Sequence, residues 1–146
     1  MKNFMNDALK QAKLALQRDE VPIGAVIVKD GKVIARGYNN RQKSQIATNH
    51  AEIIAINKAC KKLKSWRLDG CDIYVTLEPC PMCAGAIANA RISRLFYACR
   101  ETTSQDNLCE HILTSTRLNH KVEVIFDSQF EKVCQNMLSN YFKKKR

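Results

Sequence analysis

Apolar positions in this 146-residue chain follow a helical spacing in some segments and a strand spacing in others. Near the N-terminus they recur every three or four positions, which predicts a helix over residues 4–18. Two β-branched runs follow, over residues 22–28 and 33–38, and the turn sequence Asp30-Gly31 separates them. This pattern is typical of a β-hairpin.

The rest of the chain predicts strands that alternate with helices. Residues 39–49 are polar and aperiodic and predict a loop. The elements predicted after it are a helix beginning at His50, a strand over 71–77, a helix over 81–90, strands over 95–99 and 122–126, and a final helix over 128–142. Such a sequence folds as a sheet with helices on both faces. We therefore predict an α/β fold with a five-stranded mixed sheet, built as a single domain over residues 1–146.

The composition fits a globular protein that binds a polyanion. The chain is 45% hydrophobic, yet it has no apolar run near the ~20 residues of a membrane span and no signal-like N-terminus. Its net charge is +10, with the excess in residues 21–70 and 143–146. A basic surface attracts nucleic acid, although a solvated tail and polar helix faces explain the same charge. Seven cysteines without framework spacing indicate reduced thiols, so we expect a cytoplasmic protein.

Three residues have the types and spacing of a catalytic zinc site. His50 lies two residues before Glu52, and Cys80 and Cys83 follow in the sequence PCPMC. A catalytic zinc takes three protein ligands and leaves its fourth position to water. If Pro81 begins a helix, both sulfurs lie near its first turn, where the helix N-terminus favours thiolates. Glu52 is then placed to move protons, which predicts hydrolytic deamination of an amidine-like carbon.

Two other interpretations of the C-x-x-C motif remain open. The motif is also found in redox pairs and as half of a structural zinc site. A structural zinc needs a fourth ligand, and the candidates are Cys60, Cys71, Cys99, Cys109, Cys134, His111 and His120. Neither interpretation gives Glu52 a role, so the sequence favours the catalytic site.

The chain resembles the cytidine/deoxycytidylate deaminase superfamily and, within it, the bacterial tRNA-specific adenosine deaminases. The resemblance covers nearly the whole chain, through VPIGAVIV (21–28), GYN (37–39), NHAEI (49–53), YVTLEPCPMCAGAI (74–87), RISRLFYACR (91–100), LNHKVEV (118–124) and the terminal YFKKKR. It implies a three-layer α/β/α cytidine-deaminase-like fold. It also implies a zinc ion bound by His50, Cys80 and Cys83, with Glu52 as the proton shuttle.

The resemblance further implies a substrate and a partner. The family acts as a homodimer on the wobble adenosine of the tRNA anticodon stem-loop and forms inosine, and exposing this unpaired base costs little. Asn39 matches a position that contacts the target purine. Arg100, with Arg41, Lys43 and residues 143–146, would hold phosphates.

The segment after the fourth predicted strand departs from the family, which usually has Gly-Ala-Arg-Asp and a glycine-rich stretch there. This chain has ACRE over residues 98–101 and then TTSQDN, and no glycine follows Gly85. Backbone with positive φ in the 98–107 segment must therefore use Asn or Asp. Tyr141 and Phe142, just before the basic tail, could stack on a base or pack the last helix onto the core, and the position at a helix end favours packing. We favour packing for Trp66 as well.

Two alternative functions remain at this point. A deaminase of a free base or nucleoside, such as guanine or cytosine, would use the same zinc chemistry but would need no surface for a polyanion. A binding module for RNA or protein, with a purely structural zinc, would have no use for Glu52.

Overall fold

The computed structural model describes residues 3–101 and 107–145. Within them the strands are β1 (Gly24–Lys29), β2 (Lys32–Tyr38), β3 (Cys71–Val75), β4 (Arg94–Tyr97) and β5 (Glu123–Phe126). The helices are α1 (Met5–Gln17), α2 (Arg41–Ser44), α3 (Ala51–Leu63), α4 (Pro81–Asn89), α5 (Leu108–Leu113) and α6 (Glu131–Lys144), and a 3-10 turn over Ser128–Phe130 precedes α6. In the described part of the chain, every helix is too short or too polar to cross a membrane.

The five strands form one mixed sheet in the order β2-β1-β3-β4-β5. Strand β1 pairs antiparallel with β2 and with β3, whereas β3, β4 and β5 are parallel to one another. At the carboxyl edge, Val75 of β3 lies beside Tyr97 of β4, which lies beside Phe126 of β5. The loops that follow these strands therefore leave the sheet at the same edge.

Helices cover both faces of the sheet. One face, which includes Ala25 and Ile27, packs against α3, α4 and α5, and the other, which includes Val26 and Val28, packs against α1 and α6. Neighbouring residues of β1 belong to different faces because successive side chains of a strand point to opposite sides. The predicted three-layer α/β/α fold with a five-stranded mixed sheet is confirmed.

Two glycines let helices lie directly on strands. A Cβ atom at Gly24 of β1 would overlap the carbonyl oxygen of Ala8 in α1, and one at Gly37 of β2 would overlap the carbonyl oxygen of Ala51 in α3. Because Ala51 follows His50, the missing side chain at Gly37 fixes how closely the first turn of α3 approaches the sheet.

The structure differs from the predicted elements in the shortest segments. The predicted loop over 39–49 contains α2, and α5 was not predicted, because helices of four and six residues are too short to show a period. The strand predicted over 71–77 ends at Val75, and the predicted final helix begins with a 3-10 turn. Asn107 has a φ of 50°, so an Asn does provide positive φ in the glycine-free segment, whose residues 102–106 lie outside the described residues.

The expectation that the aromatic residues pack is confirmed only for Tyr141. That side chain is buried, and its hydroxyl donates to the carbonyl oxygen of Asp19. Trp66 is 59% exposed and Phe142 is 47% exposed, so the expectation is wrong for both. The guanidinium groups of Arg67 and Arg91 lie over the ring of Trp66, which explains how an exposed indole is accommodated.

Gly24→Ala should destabilise the protein, because the added Cβ forces α1 away from β1 at a cost of about 1–3 kcal/mol. Gly85→Ala is the matched control, since a Cβ there meets no atom within 4 Å. In a helix, alanine is favoured over glycine by up to ~1 kcal/mol. Urea unfolding of the three proteins measures both effects, and a wild-type midpoint for Gly24→Ala would contradict the close packing.

Candidate metal and active site

His50 and Cys80 occupy equivalent positions immediately before two helices. His50 precedes α3 and Cys80 precedes α4, both with extended backbone. Their carbonyl oxygens accept the first helical hydrogen bonds, from the N–H groups of Ile54 and Ala84. Pro81 occupies the first position of α4, where its fixed φ suits the helix and its missing N–H is not needed. The two helix N-termini thus meet, as the sequence predicted.

His50, Cys80 and Cys83 form a compact group of metal-binding side chains. Nδ1 of His50 lies 3.6 Å from Sγ of Cys80 and 3.6 Å from Sγ of Cys83, and all three atoms lie within 4.8 Å of one another. Bond lengths of ~2.0–2.1 Å from zinc to nitrogen and ~2.3 Å to sulfur place two tetrahedral ligands about 3.6 Å apart. The donor set therefore fits a zinc ion.

No fourth protein ligand joins this group in the described part of the chain. The seven cysteine and histidine candidates for a fourth ligand lie among the described residues, and the group contains none of them. A metal ion bound by these three side chains would keep one position for another molecule, which is the arrangement of catalytic zinc sites.

Glu52 lies beside the metal-binding group but does not belong to it. It is the second residue of α3, it is 4% exposed, and its carboxyl group is close enough to Cys80 and Cys83 for both to influence its pKa and for it to influence that of Cys83. Burial raises the pKa of Glu52 to about 7, and the nearby Cys80 contributes in the same direction. A carboxyl group with a near-neutral pKa can both accept and release protons during a reaction.

The two cysteines differ in their acidity. A hydrogen bond from the Cys83 thiol is the main reason why the pKa of Cys80 is lowered to about 5, and the same hydrogen bond raises the pKa of Cys83. Cys80 lies at the N-terminus of α4, where helix dipoles also favour a negative charge. The pair thus provides a thiolate, which is the form of cysteine that binds metal.

A cleft of about 1010 Å³ opens above His50, Glu52 and Cys80. Its walls come from the α1–β1 and β2–α2 connections, the segments after β3 and β4, the start of α5 and one face of α6. The residues of these walls include Ile23, Asn39, Arg41, Glu78, Arg100, Leu108, Cys109, Gln135, Asn136, Ser139, Phe142 and Lys143.

Both residues predicted to contact the substrate line this cleft. Asn39 is 7% exposed, its N–H group donates to the carbonyl oxygen of Ile23 at 3.1 Å, and its Oδ1 accepts the N–H group of Arg41 at 3.4 Å. Arg100 places its guanidinium group 4.5 Å from the ring centre of Phe126. The sequence analysis thus identified Asn39, which is buried in the inner cleft, and Arg100, which is exposed at its rim.

The predicted phosphate-binding side chains are only partly brought to the cleft. Arg41 and Lys143 line it, whereas Lys43 does not. Lys145 pairs with Asp19 at 2.6 Å on the surface, and residue 146 lies outside the described residues. The basic C-terminal run therefore contributes Lys143 to the cleft, and not its whole charge.

Sequence reasoning missed the polar face of α6. Gln135, Asn136 and Ser139 line the cleft on the same side as Phe142 and Lys143. Their spacing of three to four residues is the signal that could have identified them as one helix face. Only the packing of α6 against the sheet shows that this face lines the same cleft as His50 and Cys80.

Comparison with known proteins assigns the chain to a class. Residues 1–146 match the model of the MafB19-like deaminases, so the chain belongs to this deaminase family. The chain is 42% identical to the tRNA-specific adenosine deaminase of Bacillus subtilis (strain 168) over 144 residues, which are 98% of this chain and 89% of that protein. The resemblance seen in the sequence is confirmed.

Two solved structures resemble this one. The first comes from a study of A-to-I editing by tRNA:A34 deaminases at the wobble position of transfer RNA. It is 44% identical, with a TM-score of 0.78, over 85% of this chain and 96% of that one. The second is a guanine deaminase from Bacillus subtilis, 46% identical with a TM-score of 0.67 over 70% of this chain and 67% of that one.

Cys83→Ser should remove the metal ion and lower the thermal stability, because ligands of a metal site couple binding to folding. Cys109→Ser is the matched control: Cys109 is also buried and lines the same cleft, but it is not part of the metal-binding group. Metal analysis by mass spectrometry should find zinc in wild type and Cys109→Ser, and little in Cys83→Ser. Loss of zinc from Cys109→Ser would make Cys109 a fourth ligand.

Proposed function

We propose that this protein converts adenosine to inosine at the wobble position of tRNA anticodon loops, with water as the other substrate and ammonia as the other product. The observation that carries the proposal is the position of Glu52, buried beside a three-ligand His/Cys/Cys group at the base of a large cleft. The tRNA-specific relatives and the positive net charge support the choice of substrate.

In this proposal His50, Cys80 and Cys83 bind one zinc ion per subunit. A zinc ion held by these three side chains would supply Lewis acidity, lowering the pKa of a water molecule at the fourth position so that it could attack the amino-bearing carbon of adenine. Glu52 accepts a proton from this water and delivers protons to the ring nitrogen and to the leaving amine. Its burial keeps bulk water away from the carboxyl group, so that the proton passes to the substrate.

Asn39 and the cleft walls hold the nucleotide in this proposal. The buried Asn39 amide contacts the purine, and Arg100, Arg41 and Lys143 hold backbone phosphates around it. An anticodon-loop base is unpaired and can be turned out into a pocket at low cost. Gln135 and Ser139 of α6 provide further hydrogen-bonding groups for the neighbouring nucleotides.

Deamination of a free base is the second candidate function, because a guanine deaminase structure is 46% identical over part of the chain. The size of the cleft argues against it. The volume of about 1010 Å³ lies at the upper end of the range for drug-sized ligands, ~300–1,000 Å³. A single base fills a small part of such a space, whereas several nucleotides of an RNA loop fill it well.

We also propose that residues 1–146 act as one deaminase domain that assembles as a homodimer, as the family resemblance implies. A tRNA-modifying role places the protein in the cytoplasm, where reduced thiols persist. All seven cysteines are free in the structure, which agrees with such a location.

Glu52→Gln should abolish inosine formation, because the amide cannot take up a proton, while zinc binding is retained. The assay uses a tRNA with adenosine at the wobble position, and guanine, cytosine and free adenosine as competing substrates. A loss of at least ~10²-fold in kcat is expected. Glu110→Gln, the same change on an exposed side chain outside the cleft, is the control.

Two results of this assay would count against the proposal. Release of ammonia from guanine or cytosine, without inosine in tRNA, would assign the protein to free-base deaminases. Full activity of Glu52→Gln on tRNA would exclude Glu52 as the proton shuttle.

Lys143→Gln should weaken tRNA binding and reduce the slope of log K against log salt by about one, because one phosphate contact is lost. Lys132→Gln is the matched control, since Lys132 lies on the same helix but does not line the cleft. Binding titrations over a range of salt concentrations measure both slopes. Equal slopes for the two variants would show that Lys143 does not contact RNA.

A further inference from the structure

Glu20 is a buried carboxylate outside the cleft to which the proposed reaction gives no role. It lies between α1 and β1, is 1% exposed and does not line the cleft. Its Oε1 accepts the backbone N–H of Gln42 at 3.0 Å, and its Oε2 accepts that of Lys43 at 2.7 Å. No lysine or arginine of the described residues forms an ion pair with it. The two N–H groups of α2 therefore compensate the burial of this charge.

Apart from Glu20, helix α2 is held from the side of Asn49, whose carbonyl oxygen accepts the N–H group of Asn40 and whose Nδ2 donates to Oγ of Ser44 at 3.0 Å. It has four residues, none of them buried, so it makes no contribution to the hydrophobic core. A single helical turn is unstable by itself, because its nucleation is unfavourable. The two charge-assisted hydrogen bonds to Glu20 are thus the main connection between α2 and the α1–β1 segment.

A change in the position of α2 would alter the contacts of Asn39, which lines the cleft. Arg41 is the first residue of α2, and its N–H group donates to Oδ1 of Asn39. On the other side, the N–H group of Asn40 donates to the carbonyl oxygen of Asn49, the residue before His50. The α1–β1 segment also holds Asn39 directly, because the N–H group of Asn39 donates to the carbonyl oxygen of Ile23 and its Nδ2 donates to that of Val21 at 3.5 Å. Helix α2 adds the contact at Oδ1, so Asn39 lies between the anchor of α2 and the metal-binding group.

From these contacts we infer that Glu20 is a positioning residue, which fixes α2 and thereby sets the distance from the Asn39 side chain to Glu52 and the metal-binding group. The inference rests on the proposed function in one respect, the contact of Asn39 with the reacting base. Glu20 does not touch the substrate and acts through Asn39. Displacement of a substrate-contacting group by ~1 Å can lower the rate up to ~10²-fold.

A double-mutant cycle tests this role. Glu20→Gln should lower kcat/KM for tRNA about tenfold, because the amide keeps one acceptor and turns its NH₂ group towards the second backbone N–H. In an Asn39→Ala background the same substitution should lower kcat/KM by less than about twofold, because the group that it displaces is absent. A merely structural role of Glu20 would give equal losses in both backgrounds.

Asp19→Asn is the control for the neighbouring position. It breaks the exposed ion pair with Lys145 and should change kcat/KM by less than about twofold. Zinc content and thermal unfolding confirm that each variant is folded. Glu20→Asp, which keeps the charge on a shorter side chain, is a second variant for the same cycle if Glu20→Gln does not fold.

Amide hydrogen exchange gives an independent measurement. The N–H groups of Gln42 and Lys43 should exchange faster in Glu20→Gln than in wild type, with the amides of β1 unchanged. Unchanged exchange at both amides, an unchanged kcat/KM, or equal losses in both backgrounds would overturn the inference. If wild type acts on a free base and not on tRNA, the proposed function fails, and the same cycle measured on that base still decides the role of Glu20.

Discussion

The meeting of two helix N-termini is the constraint on which the rest of the site depends. His50 and Cys80 precede α3 and α4, and the 3.6 Å separations between their ligand atoms require both helices to begin at nearly the same point. The parallel register of β3 and β4 and the bare backbone of Gly37 fix the two helices relative to the sheet. The ligand geometry is thus a consequence of the fold.

The residues proposed to carry out the reaction and those proposed to bind RNA lie in different parts of the site. At its base, Glu52 and Cys83 are buried, so protons and charges there interact strongly. Along the walls, Arg41, Arg100 and Lys143 face a wide, open cleft, where electrostatic attraction is longer in range and sensitive to salt. Hydrogen bonds from α2 to Glu20, outside the cleft, fix the wall that carries Asn39.

The sequence was sufficient for the parts of the fold that depend on short-range patterns. The strands, the long helices and the group of His50, Cys80, Cys83 and Glu52 all have clear periodicity or fixed spacing. Helices α2 and α5 were missed because four and six residues are too few for a helical pattern to repeat. The polar face of α6 and the role of Glu20 depend on contacts between residues distant in the chain, such as Glu20 with Lys43, which carry no local signal.

X-ray absorption at the zinc edge of the purified protein tests the central claim most directly. The account predicts two sulfur ligands at ~2.3 Å and two lighter ligands at ~2.0–2.1 Å, namely His50 and one solvent molecule. Glu52→Gln should give the same spectrum, because the carboxylate is not a ligand. A third sulfur in the first coordination shell would mean that another cysteine closes the site, and it would contradict a catalytic metal centre.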